Sequence, residues 1–114
     1  MRAEGTVKEN REFRRIYRKG RSAVSPFLVV YCRRNGAGNR LGVTVSTKVG
    51  KAVVRNKVRR RLREIYRLNR EKLHPGYDVI LVARSRAAFT PYRKLEEAYL
   101  SLLQKLGILA EETA

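Results

Sequence analysis

The apolar positions change their period several times along the chain. Phe13, Ile16 and Tyr17 recur at i, i+3 and i+4, so they share one face of a helix, while Arg11, Arg14, Arg15 and Arg18 fall elsewhere. Thr6 and Glu9 carry the T-x-x-E spacing of a capping box and Asn10 is a second candidate cap, so the helix should begin between them and stop at Gly20. FLVVYCR (27–33) then has the β-branched and aromatic content of a strand. LGVTVST (41–47) alternates, with Leu41, Val43 and Val45 on one face and Gly42, Thr44 and Ser46 on the other. The Gly- and Asn-rich NGAGN between them predicts a hairpin, and Arg21 to Ser25 offers a further short strand.

From about Ala52 to about Leu73 the period is helical again. Val54, Val58, Leu62, Ile65 and Leu73 fall in one stripe with Tyr66 at its margin, and Asn56, Arg59, Arg60, Arg63, Arg67 and Arg70 lie nearly opposite. Pro75 and Gly76 end the segment in a turn. DVILVAR (78–84) is a continuous apolar run of strand length, the mark of a central strand covered on both faces. Thr90 as cap and Pro91 at the first helical position open a last helix, with Leu95, Ala98, Tyr99, Leu102 and Leu106 on one face and Gly107 at its end. The predicted order is α-β-β-β-α-β-α in a single domain spanning 1–114, with flexible tails at about 1–7 and 108–114.

Charge changes this picture. The chain has 27 Lys and Arg against 10 Asp and Glu, a net +17, in 114 residues. Residues 1–70 hold 21 basic and 4 acidic side chains, whereas residues 71–114 hold 6 of each. An excess confined to one stretch predicts a polyanion-binding surface, because a solubility device would be spread over the molecule. With 43% hydrophobic residues the chain can still bury a core. Cys32 is the only cysteine, which excludes an intrachain disulfide and fits a reducing, cytoplasmic setting. The N-terminal residues lack the apolar stretch of a signal peptide, and no run is long enough to span a membrane.

The inventory argues against protein-borne catalysis. His74 sits in a Pro-Gly turn with no metal-ligating neighbours at the right spacing. The neighbouring acids Glu9/Glu12, Glu96/Glu97 and Glu111/Glu112 read as exposed helix or tail positions, not the convergent carboxylates a two-metal nuclease needs. Gly50-Lys51 lacks the remaining residues of a phosphate loop. The basic helix is stronger: arginines three and four apart repel one another unless a polyanion lies over them, and guanidinium forks suit phosphate oxygens. Phe13, Tyr17 and Tyr31 are either a stacking platform for unpaired bases or core residues; periodicity leaves both readings open.

VGKAVVRNKVRRRLREIYR, preceded by LGVTVSTK and by NREFRRIYRKG, resembles the protein subunit of bacterial ribonuclease P. The resemblance runs from about Lys8 to about Leu106. Its centre is a strand ending in S-x-K-x-G followed by R-N-x-x-[KR]-R and a further Arg, here Ser46, Lys48, Gly50, Arg55, Asn56, Arg59, Arg60 and Arg63. It implies an α/β (α+β) two-layer sandwich with a small mixed sheet and a left-handed β-α-β crossover, against the usual right-handed rule. It also implies that a catalytic RNA subunit performs Mg²⁺-dependent removal of the 5′ leader from precursor tRNA, with Mg²⁺ held mainly by RNA. The protein would bind both RNAs, 1:1 with the RNA subunit, and broaden the substrate range. Lys51, Arg55, Asn56, Lys57, Arg59, Arg60, Arg63 and Arg67 would face the catalytic RNA; Phe13, Tyr17, Tyr31, Val43, Val45 and Lys48 would line the leader cleft. Lys57 departs from the commoner Arg and keeps the charge without the planar fork. The competing readings are a small basic ribosomal-type RNA-binding protein and a self-sufficient nuclease.

Overall fold

A computed structural model of the protein describes residues 5–110. The elements are β1 (Gly5–Thr6), α1 (Asn10–Lys19), β2 (Arg21–Val24), β3 (Leu28–Arg34), β4 (Arg40–Thr44), α2 (Ala52–Leu68), β5 (Tyr77–Ala83) and α3 (Tyr92–Leu106). Short 3-10 turns occupy Thr47–Val49, Arg70–Lys72 and Ser85–Phe89. One five-stranded mixed sheet runs β1-β4-β5-β3-β2.

The predicted hairpin does not form: β3 and β4 are separated by β5. β3 pairs antiparallel with β5 from Leu28↔Ala83 to Arg34↔Tyr77. β4 pairs parallel with β5 from Arg40↔Asp78 to Thr44↔Val82, joined through α2 as a crossover. The reason lies in β5 itself, whose residues Asp78 to Leu81 are all buried and which therefore cannot sit at an edge. The Asn-rich turn serves the start of β5. Asn35 N–H donates to the Gly76 carbonyl at 2.7 Å, and Tyr77 N–H donates to Asn39 Oδ1 at 2.8 Å.

Strand parity then deals side chains to two faces. Leu28, Val30 and Cys32 of β3, Val79, Leu81 and Ala83 of β5, and Leu41 and Val43 of β4 pack with Val58, Leu62 and Ile65 of α2 and with Leu95, Tyr99, Leu102, Leu103 and Leu106 of α3. Burial pushes the Cys32 thiol above its ordinary range, as it does the Tyr99 hydroxyl. On the other face Ile80, Val82 and Tyr31 meet Val7, Phe13 and Ile16. The sheet and the α2–α3 pair form the expected sandwich, while α1 adds a partial layer on the opposite side that the two-layer reading did not include.

Several boundaries differ from expectation. α1 is capped by Glu9 and Glu12 instead of Thr6 and Glu9, because Thr6 is taken into β1. α1 stops at Gly20, where a Cβ would collide with the Cys32 carbonyl. α2 ends at Leu68: the buried Asn69 turns its Nδ2 to the Ile65 carbonyl and to Glu96 Oε2, both at 2.8 Å, and Leu73 enters the core from beyond the helix. Thr90 does not cap α3; its hydroxyl donates to the Arg86 carbonyl at 2.6 Å and Pro91 takes the cap position. Gly107, at φ 75°, ends α3 in the left-handed conformation. Parts of the predicted flexible tails are packed: β1 pairs with β4, Val7 and Ile108 are buried, and Ala110 N–H donates to the Lys72 carbonyl at 2.6 Å. The rest of those tails, 1–4 and 111–114, lies outside the described residues.

Candidate nucleic-acid interface

α1 crosses one end of its sheet face. Phe13 lies on Gly42, where an added Cβ would come within 2.9 Å of its ring, so the missing side chain seats the aromatic. The Tyr17 ring meets Tyr31 edge-on, with centroids 4.7 Å apart, and Phe13 at 6.2 Å. The Tyr17 hydroxyl lies 3.3 Å from Thr44 Oγ1. Arg40 fixes the helix start: Nη1 donates to Glu12 Oε2 at 2.9 Å, while Nε and Nη2 donate to the two oxygens of the buried Asp78, each at 2.9 Å. The hydrogen bond from Arg40 holds the Glu12 carboxyl below its ordinary range.

Beyond Tyr17 the face is open. Val29 and Val82 are half-buried, Thr44 accompanies them, and Val24 is 53% exposed. Phe13, Tyr17 and Tyr31 therefore do come together, with Phe13 acting as a half-buried base and Tyr17, 36% exposed, at the lip. Val43 and Val45 do not join them. They are odd-numbered positions on the α2–α3 face, and the cleft instead receives Gly42 and Thr44. The alternation already visible in LGVTVST carries that signal once Phe13 is set on the Gly42 side. Lys48 is exposed on the 3-10 turn just past Thr44, and its N–H donates to Ser46 Oγ at 3.2 Å.

Gly50, at φ 155° and with Val54 3.0 Å from where a Cβ would stand, links that turn to α2. Val58, Leu62, Ile65 and Tyr66 are buried, which turns the other side of α2 outward. Lys51, Asn56, Lys57, Arg60, Arg63 and Arg67 are exposed; Arg55 and Arg59 are half-buried. Asn56 Oδ1 accepts from Arg59 Nη1 at 2.9 Å and so aims that guanidinium along the ridge. Arg55 buries its Nε without a hydrogen-bond partner. Arg61 leaves the ridge, its Nη1 lying 3.4 Å from the Thr90 carbonyl. Among the described residues the only ion pair on α2 is Arg67 with Glu64, at 3.9 Å, and the first turn has no acid to meet the helix dipole. Most of the positive charge on this helix is thus left uncompensated by the described residues.

Among the described residues no three His, Cys, Asp or Glu side chains come together as a metal site. No helix of the described residues is long and apolar enough to cross a membrane.

The family model for ribonuclease P matches residues 1–107. The chain is 44% identical over 110 residues to the ribonuclease P protein component of Alkaliphilus oremlandii, covering 96% of each sequence. It is 47% identical over 107 residues to that of a Clostridium botulinum strain, covering 92% of this chain and 96% of the relative. The solved Staphylococcus aureus RNase P protein superimposes with a TM-score of 0.84 at 31% identity, over 96% of this chain and 99% of that one. The Thermotoga maritima RNase P protein does so with a TM-score of 0.80 at 32% identity, over 88% and 96%.

Proposed function

The chain belongs to the ribonuclease P protein family, and from that premise we propose how its two exposed surfaces divide the work of the holoenzyme. As a ribonuclease P protein component it is part of an endoribonuclease of tRNA 5′ processing and associates with the ribonuclease P RNA; a ribosomal-type role is not favoured. The α2 ridge, Lys51, Arg55, Asn56, Lys57, Arg59, Arg60, Arg63 and Arg67, faces the catalytic RNA. The cleft beside α1, with Tyr17, Tyr31, Thr44, Val29 and Val82 around the Phe13 base and Lys48 at its end, holds the single-stranded 5′ leader of precursor tRNA. Unpaired bases stack on aromatic faces and the cationic rim tracks the phosphates. Mg²⁺ stays with the RNA, the complex is 1:1, and the setting is cytoplasmic.

The observation that carries this reading is the ridge, where arginines at spacings of three and four have Glu64 as their one acidic neighbour on the helix. The test is reconstitution with the matching RNA subunit at low Mg²⁺. The protein should accelerate cleavage over RNA alone and favour leader-bearing over mature tRNA. Arg59→Ala or Arg63→Ala should weaken assembly and lower the salt slope by roughly 0.7 to 0.9 for each phosphate that is no longer neutralised. No stimulation, or affinity unchanged across salt, overturns it.

A further inference from the structure

Val43 lines a different recess from the leader cleft. On the α2 side of the sheet, where β1 and β4 form the sheet edge, a groove of about 400 Å³ is bounded by Thr6, Leu41 and Val43 and by Arg63, Arg67 and Arg70. Among the described residues, none that lines it is acidic. Leu41 and Val43 supply an apolar floor, and the arginines, three and four positions apart, form one wall. The volume falls within the roughly 300 to 1,000 Å³ of sites that enclose ligand-sized molecules.

An apolar floor beneath guanidinium forks matches a flat base joined to a phosphate. A base in a duplex is stacked and cannot enter such a recess, whereas one extruded from a loop or bulge can. The wall is also continuous with the α2 ridge, so RNA lying along Arg59 and Arg63 reaches the groove without leaving the protein surface. We infer that this groove seats one unpaired nucleotide of RNA, its base against Leu41 and Val43 and its phosphate against Arg63, Arg67 and Arg70. This is a second nucleotide site, on the opposite face of the sheet from the leader cleft, and it rests on the ridge being an RNA-binding surface.

Photo-crosslinking tests it. A benzophenone amino acid substituted at Thr6, which is exposed on β1, is placed in the reconstituted holoenzyme with precursor tRNA. One dominant crosslink to an unpaired nucleotide is expected, and the strand that carries it identifies the source as catalytic RNA or precursor. The companion Arg67→Ala should cut its yield several-fold. A thermal melt of Arg67→Ala should show the fold intact. A holoenzyme that accelerates cleavage but gives no RNA crosslink, or crosslinks scattered over paired segments, overturns the groove and leaves the ridge standing. Failure to accelerate cleavage at all removes both.

Discussion

The two faces of this sheet are built from the same strands and do opposite things. One is closed by α2 and α3, which bury alternate residues of β3 and β5 completely. The other carries the ten-residue α1 alone, and leaves Tyr31, Val29 and Val82 half-exposed. In β5, Leu81 and Val82 are chemically similar neighbours, yet one is core and the other lines a cleft. Parity decides which residue is buried in the core and which is left half-exposed.

Leu81→Ala should produce the largest effect, a loss of about 2–5 kcal/mol in urea unfolding. Val82→Ala, one residue on, should cost markedly less and act mainly on leader affinity; equal costs would mean that the second face is closed too. Tyr17→Ala should weaken binding of a single-stranded leader by about 1–3 kcal/mol, with little change in stability. Gly42→Val should cost about 1–3 kcal/mol by forcing Phe13 off its seat, read as lower stability with disturbed aromatic resonances.

The smallest effect is in acid. Because the folded pKa of Glu12 is depressed, its ion pair with Arg40 stabilises the protein fully above the ordinary value of 4.5, and that stabilisation fades as pH falls through the folded value. Glu12→Gln should flatten the acid limb of a stability titration below pH 4.5 and leave the closed face intact.

Much of this division was legible in the sequence. The split of LGVTVST into Leu41, Val43, Val45 and Gly42, Thr44, Ser46, the two surfaces of α2 and the doubly covered β5 all follow from periodicity. Strand partners do not. Two apolar runs flanking a Gly- and Asn-rich turn look alike whether they pair directly or admit a third strand between them, and only the continuous burial of β5 favours the second. Val43 and Val45 are set in the cleft by the family resemblance; the alternation alone puts them with Leu41, opposite Gly42 and Thr44. The Glu9/Glu12 cap was hidden because Thr6 offers the same motif three residues earlier, and the claim of β1 on Thr6 comes from a pairing with Arg40 and Leu41 far along the chain. Asn69 stopped α2 through Glu96 of α3, a partner that helical periodicity does not reveal.

The central position of β5 also sets a timetable for synthesis. Chains emerge N-terminus first, and β2 with β3 and β1 with β4 can each form an isolated pair early. Neither can join the other until Ala83 has been made, because among the described strands β5 alone touches both halves. By then residues 1–70, which carry all of the net positive charge, have been made while the sheet is still incomplete. Both faces of the sheet are therefore completed late, in a single step, when the last strand enters the middle.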